Sequence, residues 1–143
     1  MDISIIIPLL NESESLKELS HKIDSVMKKS SFKYEAIYID DGSNDNSWHI
    51  IKSICLNNKS FKAIKFLKNY GKSQALHAGF NIAKGKVVFT MDADLQDDPE
   101  EIPEMYNLIT KKNLDIVSGW KKKRFDPVLT KNLPSKIFNL CAR

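Results

Sequence analysis

The sequence predicts an α/β domain built on a mostly parallel sheet with helices on both faces. Three observations carry that prediction. Short β-branched apolar runs alternate with segments of helical periodicity along the chain, the pattern of repeated strand–helix–strand units. Most of the strand runs end in a polar or glycine-containing turn. The length of 143 residues suits one domain with a real core.

The first element is Ile3-Ser4-Ile5-Ile6-Ile7, a buried strand stopped by Pro8. Asn11 to Glu14 can cap a helix whose apolar positions Leu16, Leu19, Ile23, Val26 and Met27 recur at helical spacing. Tyr34 to Ile39 is the second strand, ended by Asp40-Asp41-Gly42-Ser43. Asp45 to Ser47 opens a second helix carrying Trp48, Ile51 and Ile54, and Phe61 to Leu67 is the third strand. Ser73 to Ala83 reads as the third helix, with Gly85 as its C-terminal cap. Lys86 to Met91 is the fourth strand and runs straight into Asp92. Pro99 suits the first turn of a fourth helix, where Glu100, Glu101 and Glu104 meet its positive end. Leu114 to Ser118 reads as a fifth strand, and a last helix near Pro134 carries Ile137, Phe138 and Leu140.

Composition narrows the class. A hydrophobic share of 42% and a charged share of 28% are those of a globular chain, not of a disordered or fibrous one. The net charge of +4 hides a separation. Acidic residues gather at Asp40-Asp41 and from Asp92 to Glu104, and basic ones at Lys121-Lys122-Lys123-Arg124. That basic run suits phosphates, lipid headgroups or nucleic acid, and equally a solvated face. Cys55 and Cys141 fit no metal-ligand spacing, and free thiols in a reducing compartment are expected. Ile3 to Leu10 is too short for a signal sequence, and no stretch reaches the ~20 apolar residues of a membrane span.

In parallel sheets, ligands bind beyond the carboxyl ends of the strands. The polar residues of this chain fall there. Asp92 and Asp94 flank Ala93 at the end of strand four, and two hard carboxylates at that spacing can converge on Mg²⁺ or Mn²⁺. Gln96 follows at the same interval as a neutral oxygen ligand; the plain alternative is a helix-capping acidic loop. Asp41 can accept from a base or a ribose hydroxyl, or serve only its turn. Glu12 has the same two readings. Lys72, after Gly71, can meet a phosphate or remain a solvated lysine. His77 reads as packed or exposed, and Trp48 as core.

The order and content of these segments are more specific than any one of them. Ile7-Pro8-x-x-Asn11-Glu12, Asp40-Asp41-Gly42-Ser43, Asn69-x-Gly71-Lys72-x-x-Ala75-Leu76-x-Ala78-Gly79 and Asp92-Ala93-Asp94-Leu95-Gln96-Asp97-Asp98-Pro99-Glu100 together resemble the family 2 inverting glycosyltransferases, which have the Rossmann-like GT-A fold. The last segment is most similar to the branch containing dolichol-phosphate mannose synthase and bacterial undecaprenyl-phosphate glycosyltransferases. Gly119-x-x-x-x-Arg124 matches it too.

The resemblance implies a hexosyltransferase that moves a sugar, with inversion, from a UDP- or GDP-sugar to a polyisoprenyl phosphate. Pro8, Asn11, Glu12, Asp41, Lys72, Asp92 and Ala93 would bind the donor. Asp92, Asp94 and Gln96 would hold Mg²⁺ or Mn²⁺, and Asp92, Asp94 and Arg124 would serve catalysis. It further implies action at the cytoplasmic face of a membrane, with a lipid-phosphate acceptor and without nucleic acid. Leu9-Leu10 and Trp120-Lys121 depart from residues common in the family. Relatives usually continue through an acceptor segment, so residues 1–143 are expected to be the donor-binding part of a C-terminally truncated domain, and no general base is named.

Four rivals come from other classes. A noncatalytic nucleotide-sugar-binding module would bind without transfer. A phosphoacceptor receiver domain needs an aspartate after strand three, where Leu67-Lys68-Asn69 stands. A dehydrogenase or nucleotidyltransferase needs an early glycine-rich loop, and no glycine precedes Gly42.

Overall fold

The structure, a computed structural model, describes residues 1–119. Four parallel strands form one sheet in the order β3-β2-β1-β4. They are β1 (Ile3–Leu9), β2 (Tyr34–Asp40), β3 (Phe61–Lys65) and β4 (Val87–Thr90). The helices are α1 (Leu16–Ser30), α2 (Ser47–Asn57), α3 (Lys72–Ile82) and α4 (Ile102–Lys111), the last entered through a 3₁₀ turn at Pro99–Glu101. The α/β expectation holds.

The strand alternation sorts the core. Ile3, Ile5, Ile7 and Leu9 of β1, with Ala36 and Tyr38 of β2, pack beneath Leu16, Leu19, Ile23 and Met27 of α1 and Ile51 of α2. Burying each such side chain stabilises the fold by roughly 1.5–3 kcal/mol. Ile6, Ile37 and Ile39 point the other way and meet Ala75 of α3. The α3 helix lies close because Gly79 has no side chain: a Cβ there would stand 2.4 Å from Ile6 Cγ2.

Several expectations are corrected. Pro8 does not stop β1, which runs to Leu9. The amide of Met91 donates to the Ile6 carbonyl at 3.0 Å, so the Pro8 nitrogen faces the same side, where β4 has already ended and no donor is needed. Gly85 is not a left-handed helix cap, since α3 ends at Ala83 and only Gly42 and Gly71 among the glycines have positive φ. Its work is close approach: a Cβ on Gly85 would lie 2.3 Å from the Ser4 nitrogen. No fifth strand forms at 114–118 among the described residues. Ile116 there is 83% exposed, so nothing buries the apolar face that alternation in this short segment needs. The helix expected near Pro134 lies outside the described residues.

The amino end of the sheet holds a buried polar cluster that the sequence did not announce. Glu35 is fully buried; its Oε1 accepts from Ser4 Oγ at 2.6 Å and from the Lys84 amide at 2.7 Å, and its Oε2 pairs with Lys62 Nζ at 2.6 Å. Burial alone would raise this carboxyl, but Lys62, Ser4 and the Lys84 amide outweigh it and hold the group below its ordinary value.

Candidate functional site

The chain passes β1, β2 and β3 in one direction and then returns to place β4 on the other side of β1. The order reverses between β1 and β4, and that crevice is where parallel sheets take ligands. A cleft of about 340 Å³ opens there, lined by Pro8, Leu9, Leu10, Glu12, Asp41, Asn69, Gly71, Lys72, Ala75, Asp92, Ala93 and Asp94. Seven of the expected site residues thus share one cavity: Pro8, Glu12, Asp41, Lys72, Asp92, Ala93 and Asp94.

Four loops build its walls. The loop after β1 is clamped to the loop after β2: the Asn11 amide donates to Ser43 Oγ at 2.9 Å, the Asn44 amide to Asn11 Oδ1 at 3.0 Å, and the Glu12 amide to Ser47 Oγ at 2.9 Å. Asn11 adopts φ 57°, a left-handed turn that asparagine tolerates better than most residues. Its side-chain oxygen therefore shapes the loop, and Asn11 does not line the cleft.

Asp41 joins the second loop to the third. It is 5% exposed; its Oδ1 accepts from the Tyr70 amide at 2.8 Å and its Oδ2 from the Gly71 amide at 2.9 Å. Each oxygen retains acceptor capacity beyond these bonds. Gly42 permits the approach, because at φ 80° a Cβ would sit 2.5 Å from the Lys68 carbonyl carbon. The pinned loop sets Lys72 at the start of α3, where its ammonium pairs with Asp92 Oδ1.

The acidic wall follows β4. Ala93 is 3% exposed and joins the core, leaving Asp92 and Asp94 to turn outward on either side of it. The Asp92 amide donates to Asp97 Oδ2 at 3.0 Å, and the Gln96 amide to Asp94 Oδ1 at 3.0 Å. Leu95 has φ 63°, which breaks the regular alternation on which Gln96 was expected to follow. Gln96 lines a neighbouring depression with His21 and Lys22 and is not brought into the cleft. Arg124 lies outside the described residues.

The negative charge here is poorly compensated. Burial, then the charges of Asp94, Asp45 and Asp92, push the Glu12 carboxyl above its ordinary value against a hydrogen bond from Ser15. For Asp45, burial is outweighed by hydrogen bonds from Ser47 and Ser13, which lower it to about 2. Asp45 had been read only as a helix opener, and its part in this acidic group had no signal in the sequence.

Asp92 and Asp94 offer hard oxygens in a field that a cation would relieve, so the residues fit Mg²⁺ or Mn²⁺. Among the described residues no three acidic, histidine or cysteine side chains close into a ready cage. That suits an ion held by one or two carboxylates together with substrate phosphates.

Comparison with known proteins bears on this geometry. The glycosyl transferase family 2 model matches residues 4–141, and the chain belongs to that family. The undecaprenyl-phosphate 4-deoxy-4-formamido-L-arabinose transferase of Pseudomonas savastanoi pv. phaseolicola is 38% identical over 99% of this chain and 42% of its own length. The chain spans about two fifths of the curated relatives it matches. Two solved structures share the fold. S. aureus TarS 1-349 in complex with UDP aligns at a TM-score of 0.65 and 19% identity, over 92% of this chain and 40% of that one. The mannosyltransferase PcManGT from Pyrobaculum calidifontis, in complex with GDP-Man and Mn²⁺, aligns at 0.62 and 19%, over 75% of this chain and 32% of that one.

Proposed function

We propose that this member of glycosyl transferase family 2 binds a UDP- or GDP-sugar with a divalent metal and transfers the sugar, with inversion, to a polyisoprenyl phosphate. One observation carries the reading: Glu12, Asp41, Lys72, Asp92 and Asp94, drawn from four loops, face one cleft at the β1/β4 reversal. The relative named above, which is an undecaprenyl-phosphate transferase, supports the acceptor class.

In this reading Pro8, Glu12 and Asp41 line the base and ribose, with Asp41 accepting hydrogen bonds on its remaining lone pairs. Asp92 and Asp94 would hold Mg²⁺ or Mn²⁺, which would supply Lewis-acid neutralisation of the departing diphosphate. Lys72 contributes a second positive charge at the phosphates. The acceptor phosphate is already anionic at neutral pH, so little help from a base is required. Residues 1–143 act as the donor-binding part, and transfer takes place at the cytoplasmic face of the membrane. Among the described residues no helix is long and apolar enough to cross a membrane.

Titration calorimetry tests the site. Mn²⁺ should strengthen UDP or GDP binding, and Asp94→Ala should weaken the metal-assisted complex by at least about tenfold, since ligand geometry governs metal affinity on that scale. Absence of nucleotide binding with Mn²⁺ present would remove the assignment. A thermal-shift screen of UDP- and GDP-sugars then selects the donor, because stabilisation grows with the concentration of a true ligand.

A further inference from the structure

Lys72 occupies one of the two carboxylates assigned to the cation. Its ammonium pairs with Asp92 Oδ1, and this is the only ion pair among the described residues that involves Glu12, Asp45, Asp92 or Asp94. The pair conflicts with the other task given to Lys72. An ammonium engaged with Asp92 has fewer donors left for a phosphate, and a carboxylate already neutralised by an ammonium attracts a divalent ion less strongly. The two tasks compete for the same charge.

The local structure lets the side chain move while the backbone stays. The amides of Tyr70 and Gly71 are fixed on Asp41, so the first turn of α3 is anchored. The Lys72 side chain is 60% exposed and that of Asp92 40%, which leaves the four-carbon stem free to swing. Exposed pairs of this kind are worth little and are easily exchanged.

We infer that Lys72 is a tethered stand-in for the divalent cation. It neutralises Asp92 in the empty cleft, is displaced when metal arrives with the nucleotide, and then turns to the diphosphate. This inference rests on the reading of Asp92 and Asp94 as the metal and diphosphate carboxylates. Its consequence is coupling: bare metal must break the pair without recompense, whereas the nucleotide gives the ammonium a new partner. Metal and nucleotide therefore raise each other's affinity by the same factor.

The test follows Mn²⁺ binding to the nucleotide-free full chain through loss of the free-ion electron paramagnetic resonance signal. Lys72→Met should raise Mn²⁺ affinity about two- to fivefold, the span of an exposed ion pair. Lys72→Arg should stay near wild type, and the gain should vanish when Lys72→Met is combined with Asp92→Asn. With Mn²⁺ saturating, Lys72→Met should instead weaken UDP or GDP binding, so one substitution moves two affinities in opposite directions. An unchanged Mn²⁺ affinity in Lys72→Met, with normal metal-assisted nucleotide binding in the wild type, overturns the inference alone. A gain that persists undiminished with Asp92→Asn also overturns it, since the effect would then be general charge. If Mn²⁺ fails to assist nucleotide binding in the wild type, the metal reading itself falls and takes the inference with it.

Discussion

The two ends of the sheet treat their acids in opposite ways. At the amino end, Glu35 is enclosed, accepts from Ser4, Lys62 and the Lys84 amide, and titrates below its ordinary value. At the carboxyl end, Glu12 stands among Asp94, Asp45 and Asp92 and titrates above it. The first cluster is complete without a ligand. The second gathers four carboxylates around one ion pair among the described residues, Lys72 with Asp92, and it is there that a cation is proposed to bind.

The largest expected effect breaks the closed end. Glu35→Ala leaves the Ser4 hydroxyl proton without its acceptor, the Lys84 amide with Ser4 Oγ alone and Lys62 without its partner, and it should cost about 3 kcal/mol of unfolding free energy. Chemical denaturation measures this, and metal-assisted nucleotide binding at low temperature should stay within about twofold of wild type. A binding loss as large as that of Asp94→Ala would erase the distinction between the two ends.

A middle-sized effect sharpens the comparison at Asp41, which belongs to both categories: satisfied like Glu35, and facing the cleft like Glu12. Asp41→Ala leaves the Tyr70 amide without an acceptor and the Gly71 amide with Asn69 Oδ1 alone, and should cost about 1–2 kcal/mol. It should also weaken nucleotide binding, because Lys72 loses its anchored start. Were stability unaffected while binding fell, Asp41 would be a ligand contact and nothing more.

The smallest effect is in the pH dependence, and the signs oppose. A carboxyl raised in the folded state binds its proton more tightly there, so Glu12's contribution is present below its ordinary value of 4.5 and is lost as pH rises. A lowered carboxyl such as Glu35 contributes above 4.5 and loses that contribution as pH falls. Glu12→Gln should therefore raise the neutral-pH Tm of the metal-free chain by about 1–3 °C and flatten its decline with rising pH. A lowered Tm at neutral pH would contradict the charge imbalance.

The carboxyl-end region was largely legible in the sequence, because turns and strand ends announce themselves locally. Asp92, Asp94, Glu12 and Asp41 each sit where an apolar run gives way to polar residues. What escaped depended on three-dimensional register. Glu35 reads as an ordinary strand residue until β1 sets Ser4 beside it. Gln96 lies outside the cleft lining, and the positive φ of Leu95 that turns the chain there has no local warning. The fifth strand failed for a related reason: five apolar-leaning residues look alike whether or not a neighbour exists to bury them.

Gly79 and Ala75 lie one helical turn apart on the face of α3 that meets the sheet, and Ala75 also lines the cleft. The missing side chain of Gly79 lets the helix settle on Ile6. A single methyl group there would lift the helix like a shim under a hinge plate and change the gap between Lys72 and the aspartates opposite. The bore of the crevice is thus gauged by a residue that no ligand ever touches, and by an atom that is not there.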